Sequence, residues 1–350
     1  MLALGKRTSI LPAQTGLELS YILAAQQFFS WTVRQLADVE NEMNSVERIV
    51  HYARGVEQEA PHRLPAAKPA SPWPSAGRIE MDGVALKYRP ELPPVLKGLS
   101  MSIKGGEKIG IVGRTGAGKS SIMTALFRIV ELSGGKIEID GVDISKIGLT
   151  DLRQALSIIP QEAQLFSGTL RSNLDPFGRH DDARLWDALK KSHLVDDGPS
   201  TDLNEKSAVP AGASTPNPAS KFTLDSPIDS EGSNVSVGQR SLVSLARALI
   251  KDSRILILDE ATASVDYETD RKIQETIATE FKDRTILTIA HRLRTIISYD
   301  RICVMDQGLI AEFDTPSSLF LKQNGIFRGM CERSGITLED IRMAVKESET

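Results

Sequence analysis

Gly113, Arg114, Thr115, Gly116, Ala117, Gly118, Lys119 and Ser120 fit the spacing G-x-x-x-x-G-K-[ST], and the chemistry explains each fixed position in that pattern. Glycines let the backbone curl until successive N–H groups face phosphate oxygens. A helix opening directly after the loop sets its positive end beneath the same oxygens. In such a loop the lysine, Lys119, reaches the β and γ phosphates, and the serine, Ser120, ligates Mg²⁺. Ser121 follows and joins the candidate nucleotide-binding set. A second candidate is Arg254-Ile-Leu-Ile-Leu-Asp259-Glu260, an apolar strand that ends in two acids. Asp259 at that end suits a Mg²⁺ partner acting through water, and Glu260 suits a general base for an attacking water.

These residues need a scaffold, and the pattern around them supplies one. Lys108–Val112 is an apolar run leading into the glycine loop, and 119–130 reads as the helix after it. Alternating or apolar runs predict further strands at 78–88, 95–103, 136–139, 157–159, 255–258, 285–289, 301–305 and 309–313. Helices are predicted at 236–251 and 266–281. Strands alternating with helices imply an α/β layer architecture. Ahead of it, Leu17, Tyr21, Ala24, Phe28 and Trp31 recur at helical spacing, so 15–53 reads as one long helix, half apolar and half charged. Residues 60–75 carry five prolines and little that could pack, which predicts a linker. Residues 196–230 are rich in Ser, Pro, Asp, Ala and Gly and predict a mobile surface insertion. The last stretch, 335–350, is charged and predicts a helix that frays.

Composition narrows the class. A net charge of −4 argues against a nucleic-acid binder. Two cysteines, Cys303 and Cys331, offer neither a disulfide framework nor metal-ligand spacing, which suits a reducing setting. No secretory signal is legible in the first residues. Hydropathy alone gives no clean membrane span, because Pro12, Gln14, Glu18, Gln26 and Gln27 interrupt the best candidate.

Asn234-Val-Ser-Val-Gly-Gln-Arg240, followed by Leu245-Ala-Arg-Ala-Leu249, resembles the signature of ABC proteins, usually LSGGQ. Ala261–Asp266 is similar to that family's D-loop, Ala290-His-Arg-Leu293 to its H-loop, and Ile159-Pro-Gln-Glu162 to its Q-loop. The resemblance implies a P-loop NTPase of ABC type, with a mixed-sheet core, an antiparallel β subdomain and a helical subdomain. It implies roles residue by residue. Tyr88 would stack on the adenine of ATP. Gln161 would sense Mg²⁺ and the water. His291 would contact the γ-phosphate. Ser236, Val237, Gly238 and Gln239 would face the ATP of a second nucleotide-binding domain, in a head-to-tail sandwich. Val235 stands where the family usually has leucine, and Val237 where it has the first glycine of a pair; the second of these changes could weaken the opposite site, although the C-type subfamily often carries S-V-G-Q in its second domain.

Tyr88–Gly98, Leu165–Phe177 and Met330–Ile336 resemble the C-type (multidrug-resistance-associated) subfamily, in particular the second nucleotide-binding domain of fungal members. With that resemblance, residues 16–34 and 46–49 look like the last transmembrane helix and its cytosolic extension. The implied division is 1–55 as the end of a transmembrane domain, 56–77 as linker, 78–333 as nucleotide-binding domain and 334–350 as charged tail. The implied function is the ATPase of an exporter of an unidentified solute, membrane-borne with the nucleotide domain on the cytoplasmic side. Its partners would be a second nucleotide domain and transmembrane domains outside this chain, with no nucleic acid. The alternative is a truncated product that binds ATP without transport or efficient hydrolysis.

Overall fold

The computed structural model describes residues 12–195, 222–259, 265–290 and 292–349. They fall into two units, divided between Ala60 and Pro61. The first is a helix, α1 (Pro12–Val50), continued by a π-helical turn at His51–Gly55. Its 39 residues make it about 58 Å long. None of its side chains is buried, and Leu17, Ile22, Phe28, Phe29 and Trp31 all stand exposed. The predicted helix is thus present. Among the described residues, however, no helix is long and apolar enough to cross a membrane. The reason is local: Glu18, Gln26, Gln27 and Arg34 break up every apolar run.

The second unit opens with β1 (Ile79–Leu86), β2 (Leu96–Ile103), β3 (Lys108–Gly113), α2 (Lys119–Leu126), β4 (Gly134–Ile139) and β5 (Val142–Asp143). There follow α3 (Leu149–Ala155), β6 (Leu156–Ile159), β7 (Gly168–Thr169), α4 (Leu170–Leu174) and α5 (Asp182–Lys191). Next come β8 (Pro227–Ile228), α6 (Val237–Lys251), β9 (Ile255–Asp259), α7 (Tyr267–Glu280) and β10 (Thr285–Ile289). The chain closes with β11 (Arg301–Asp306), β12 (Leu309–Asp314), α8 (Pro316–Leu321), α9 (Ile326–Arg333) and α10 (Leu338–Glu349).

One sheet has the order β12-β11-β3-β10-β9-β6 and is parallel except for β12; an antiparallel sheet runs β2-β1-β4-β5. Central parallel strands are buried on both faces, which is why they read as continuous apolar runs. Ile109, Ile111, Ile255, Ile257, Leu287, Cys303 and Met305 point into a core shared with α2 and the antiparallel sheet. The alternate residues of the same strands point the other way. Val112, Ile302 and Val304 pack with Phe327 and Ile341 of the carboxyl-terminal helices, while Leu256, Leu258 and Ile286 pack with α6 and α7. A further cluster of Leu165, Leu170, Leu185, Leu189, Val235 and Val243 forms a helical lobe. Cys303 and Cys331 are free and buried, and burial pushes the Cys303 thiol up to about 12.

Three expectations need correction. The proline-rich segment packs: Trp73 lies against the core and its Nε1 donates to Ile139 O (3.1 Å). The carbonyls of Pro61 and His62 accept from Leu149 N (3.2 Å) and Thr150 N (2.9 Å), satisfying orphan donors at the start of α3. This approach is so close that a Cβ on Gly148 would lie 2.8 Å from His62 O. At the segment's far end the Asp140 carboxylate accepts from Ser75 N, Ala76 N, Gly77 N and Arg78 N at 2.7–3.1 Å. Of the expected insertion, 196–221 lies outside the described residues, but 222–230 is anchored: Leu224 and Ile228 are buried in the helical lobe, with exposed residues around them. The charged tail is also partly core, since Ile336 and Ile341 are buried against Phe327 and Leu319. Polar neighbours masked these apolar anchors in the sequence.

Candidate functional site

Strand β10 pairs in parallel with β3 on one side and β9 on the other. Ile289, its last residue, lies opposite Ile111 of β3 and Asp259 of β9. Strand β6 lies beside β9, with Ile159 opposite Leu258. The carboxyl ends of all four strands therefore share one edge. That edge is where ligands bind in open α/β sheets. It carries the loop from Gly113 to Gly118 after β3, Gln161 after β6, and Asp259 at the tip of β9. Glu260, residues 261–264 of the D-loop segment, and His291 lie outside the described residues.

The loop's shape follows from its glycines. Gly116 has φ +81° and Gly118 φ +98°, left-handed conformations that favour glycine. Gly113 has φ +152°, and a Cβ there would sit 2.3 Å from Met305 O. At Gly116 the space is open, so the crest of Arg114, Thr115 and Gly116 faces solvent. Ala117 N donates to Arg114 O (3.1 Å), closing the curl. Among the described residues no backbone carbonyl accepts from the N–H groups of Thr115, Gly116 or Gly118. Lys119 opens α2, and its Nζ donates to Gly113 O (3.0 Å) and Arg114 O (3.2 Å). Ser120 beside it is exposed. Free N–H donors, an ammonium and a helix N-terminus converge here, and this donor set fits an anionic phosphate. Ser120, Asp259 and Gln161 bring oxygen ligands to the same edge, a set that fits Mg²⁺.

Tyr88 lies in the loop between β1 and β2, its side chain 47% exposed. Its hydroxyl is 3.0 Å from Ser121 Oγ, in the first turn of α2. The two loops meet without spare room. A Cβ on Gly118 would lie 3.1 Å from Leu96 Cδ2 and 3.4 Å from Val95 O. A third turn completes the contact: Gly308 N donates to Ala117 O (3.1 Å) and Gly308 O accepts from Lys97 N (3.0 Å). Gly308 has φ +83°, and a Cβ there would meet Val95 O at 2.1 Å. Sequence reasoning missed Gly308. Gln307 and Gly308 join β11 to β12, both with positive φ, yet nothing local reveals that the turn braces the phosphate loop.

Ser236, Val237, Gly238 and Gln239 start α6, which runs antiparallel to β9. Lys251 at its other end donates to Arg153 O (2.8 Å) and to Leu156 O, at the start of β6. Ser236 and Gln239 form a capping box: Gln239 N donates to Ser236 Oγ (3.2 Å) and Ser236 N to Gln239 Oε1 (3.0 Å). Gly238 lies against α7, where a Cβ would be 3.2 Å from Thr269 Oγ1. Asp266 caps α7 through Thr269 N (3.0 Å), and this bond, reinforced by the Thr269 hydroxyl, holds the Asp266 carboxyl below the usual range. Val237 presents its side chain to solvent.

The sequence profile of ABC transporters matches residues 96–263. The chain is 58% identical over 344 residues to the ABC-type transporter cicA of Emericella nidulans, and 51% identical over 342 residues to the oligomycin resistance ATP-dependent permease YOR1 of Saccharomyces cerevisiae. Each alignment covers 97% of this chain. Together these matches show an ABC-type nucleotide-binding domain. ATP-binding cassette sub-family C member 3 of Rattus norvegicus is 48% identical over 94% of the chain, in keeping with the C-type resemblance. The solved structure of a bacterial Atm1-family ABC exporter with ATP bound matches with a TM-score of 0.70 and 29% identity, over 85% of this chain and 48% of that one. The chain spans about a quarter of the length of the curated relatives: 24% of cicA and 23% of YOR1. The fold is that of an ABC nucleotide-binding domain, a family of ATP-binding domains.

Proposed function

We propose that the chain is the ATP-binding and ATP-hydrolysing engine of a membrane exporter. The observation that carries this is one sheet edge holding the Gly113–Gly118 loop, Lys119, Ser120, Asp259 and Gln161. The loop N–H groups and Lys119 would hold the β and γ phosphates, and the Tyr88 ring would stack on the adenine. Ser120, Asp259 and Gln161 would hold Mg²⁺, which when bound offsets phosphate charge. Glu260, next to Asp259 in sequence, would take the proton of the attacking water, and His291 would contact the γ-phosphate. Ser236–Gln239 would present the α6 N-terminus to the ATP of a second nucleotide-binding domain. The exposed apolar side chains of α1 would be covered by other transmembrane helices, with the nucleotide domain on the cytoplasmic side and an unidentified solute as cargo.

Glu260→Gln tests the reading. ATP binding should persist while hydrolysis falls to background; undiminished turnover would remove Glu260 from the mechanism. If each site is completed by another copy's signature, wild-type specific activity should rise with protein concentration. Binding without turnover at any concentration would favour the reading as a product that only binds ATP.

A further inference from the structure

α3 has seven residues, too few to hold its place by its own hydrogen bonds. Groups from outside the helix position it. At its start the carbonyls of Pro61 and His62 accept from Leu149 N and Thr150 N. At its end the Lys251 ammonium donates to Arg153 O (2.8 Å). The Arg153 side chain reaches back to the far end of α2, where Nε donates to Phe127 O (3.1 Å) and a terminal nitrogen to Arg128 O (3.0 Å). Carbonyls at a helix carboxyl end lack intrahelical partners, and a cation there complements the helix dipole. The tie is returned. The buried Arg128 guanidinium donates to Ile144 O (2.8 Å) and Ile147 O (3.0 Å), just ahead of Gly148. α2 and α3 are thus clasped in both directions. The opposite end of α2 is Lys119, about 12 Å away along eight residues. The phosphate loop and the proline-rich segment therefore grip the two ends of one clasped pair of helices.

We propose that Arg153 is a positioning residue that couples the proline-rich segment to the phosphate loop. A nucleotide that fixes the loop fixes α2, and through Arg153 it holds α3 ready for the carbonyls of Pro61 and His62. The cost of ordering the pair is then shared between the two events, so each favours the other by the same factor. The proposal rests on the reading of the site as an ATP site. It places Arg153 outside the chemistry, because it touches carbonyls of α2 and not the nucleotide.

Gly148→Ala supplies a second handle. Its backbone (φ −67°, ψ 143°) suits alanine, and the atoms that the new Cβ would strike, His62 O, Arg63 Cα and Leu64 N at 2.8–3.0 Å, all belong to the segment. In the full chain, Gly148→Ala and Arg153→Met should each weaken ATP about fivefold by calorimetric titration, the low end of couplings between linked sites. The double variant should be no weaker than either single variant, since both cut one path. Hydrogen exchange separates positioning from mere stability. Saturating ATP should slow exchange of the Leu149 and Thr150 amides about fivefold in wild type. Arg153→Met should abolish that slowing while the β1 amides keep theirs. Additive losses of affinity, or slowing at Leu149 and Thr150 that survives Arg153→Met, would overturn the coupling. Should Arg153→Met fail to fold, Gly148→Ala decides alone: unchanged ATP affinity overturns it. A wild-type chain that binds no ATP would instead sink the ATP reading, and the coupling with it.

Discussion

Lys119 holds its ammonium against two loop carbonyls, Gly113 O and Arg114 O, at the mouth of the phosphate loop. Charge-assisted bonds to phosphate are the strongest a side chain offers there. Lys119→Ala should therefore lower ATP affinity by at least about tenfold, read by calorimetric titration. Gly118 is constrained in two ways, by φ +98° and by Leu96 Cδ2 at 3.1 Å from any added Cβ. Gly118→Ala should destabilise the domain by about 1–2 kcal/mol, read from denaturant unfolding, and weaken ATP as the loop shifts. Much of this scale was legible beforehand, because G-x-x-x-x-G-K-[ST] prescribes residue types at fixed offsets. The Tyr88–Ser121 bond was not legible. It joins positions 33 apart in sequence through a loop whose path only the packing of Val95 and Leu96 determines.

Strands β3, β9, β10 and β11 could be read from sequence because both faces are buried, so nearly every residue is apolar. The short helices α3, α4 and α5 went unread. Their lengths of seven, five and ten residues leave little periodicity, and they are held by tertiary contacts. The stretch before β1 was misread for a related reason. Its hydrogen bonds go to Asp140 and to the start of α3, partners more than 60 residues away. Burial pushes the Asp140 carboxyl up, but the N–H groups of Gly77, Ala76, Arg78 and Ser75 pull it further down, below the usual range. A group with a depressed folded pKa stabilises above its unfolded pKa, about 3.9. That contribution should vanish as pH falls through the lower folded value. Asp140→Asn should cost about 2 kcal/mol at pH 7. The gap to wild type should shrink in acid; a gap independent of pH would contradict this account.

At the scale of the molecule, the boundary at Ala60 separates a helix with no buried side chain from a unit that holds every buried apolar cluster described above. A chain of residues 61–350, the second unit alone, should unfold with a midpoint like that of the full 350-residue chain and should bind ATP. A chain of residues 79–350 should be less stable by several kcal/mol, because it loses Trp73, the α3 caps and the donors to Asp140 together. Equal midpoints for the two would show that the proline-rich segment contributes nothing. Sequence composition could not have drawn this line. Five prolines read as a spacer, whereas the carbonyls of Pro61 and His62 are what α3 needs.

Gly308 lies in a hairpin far along the chain and carries no side chain, yet the phosphate loop rests on it. A random screen for loss of ATP use would therefore return hits there as readily as at Lys119. Those hits would carry no information about chemistry. Any side chain at 308 strikes Val95 O, and the damage reaches Ala117 through the backbone. Heritable loss of function at such a position would look like a catalytic lesion and would in fact be a carpentry fault.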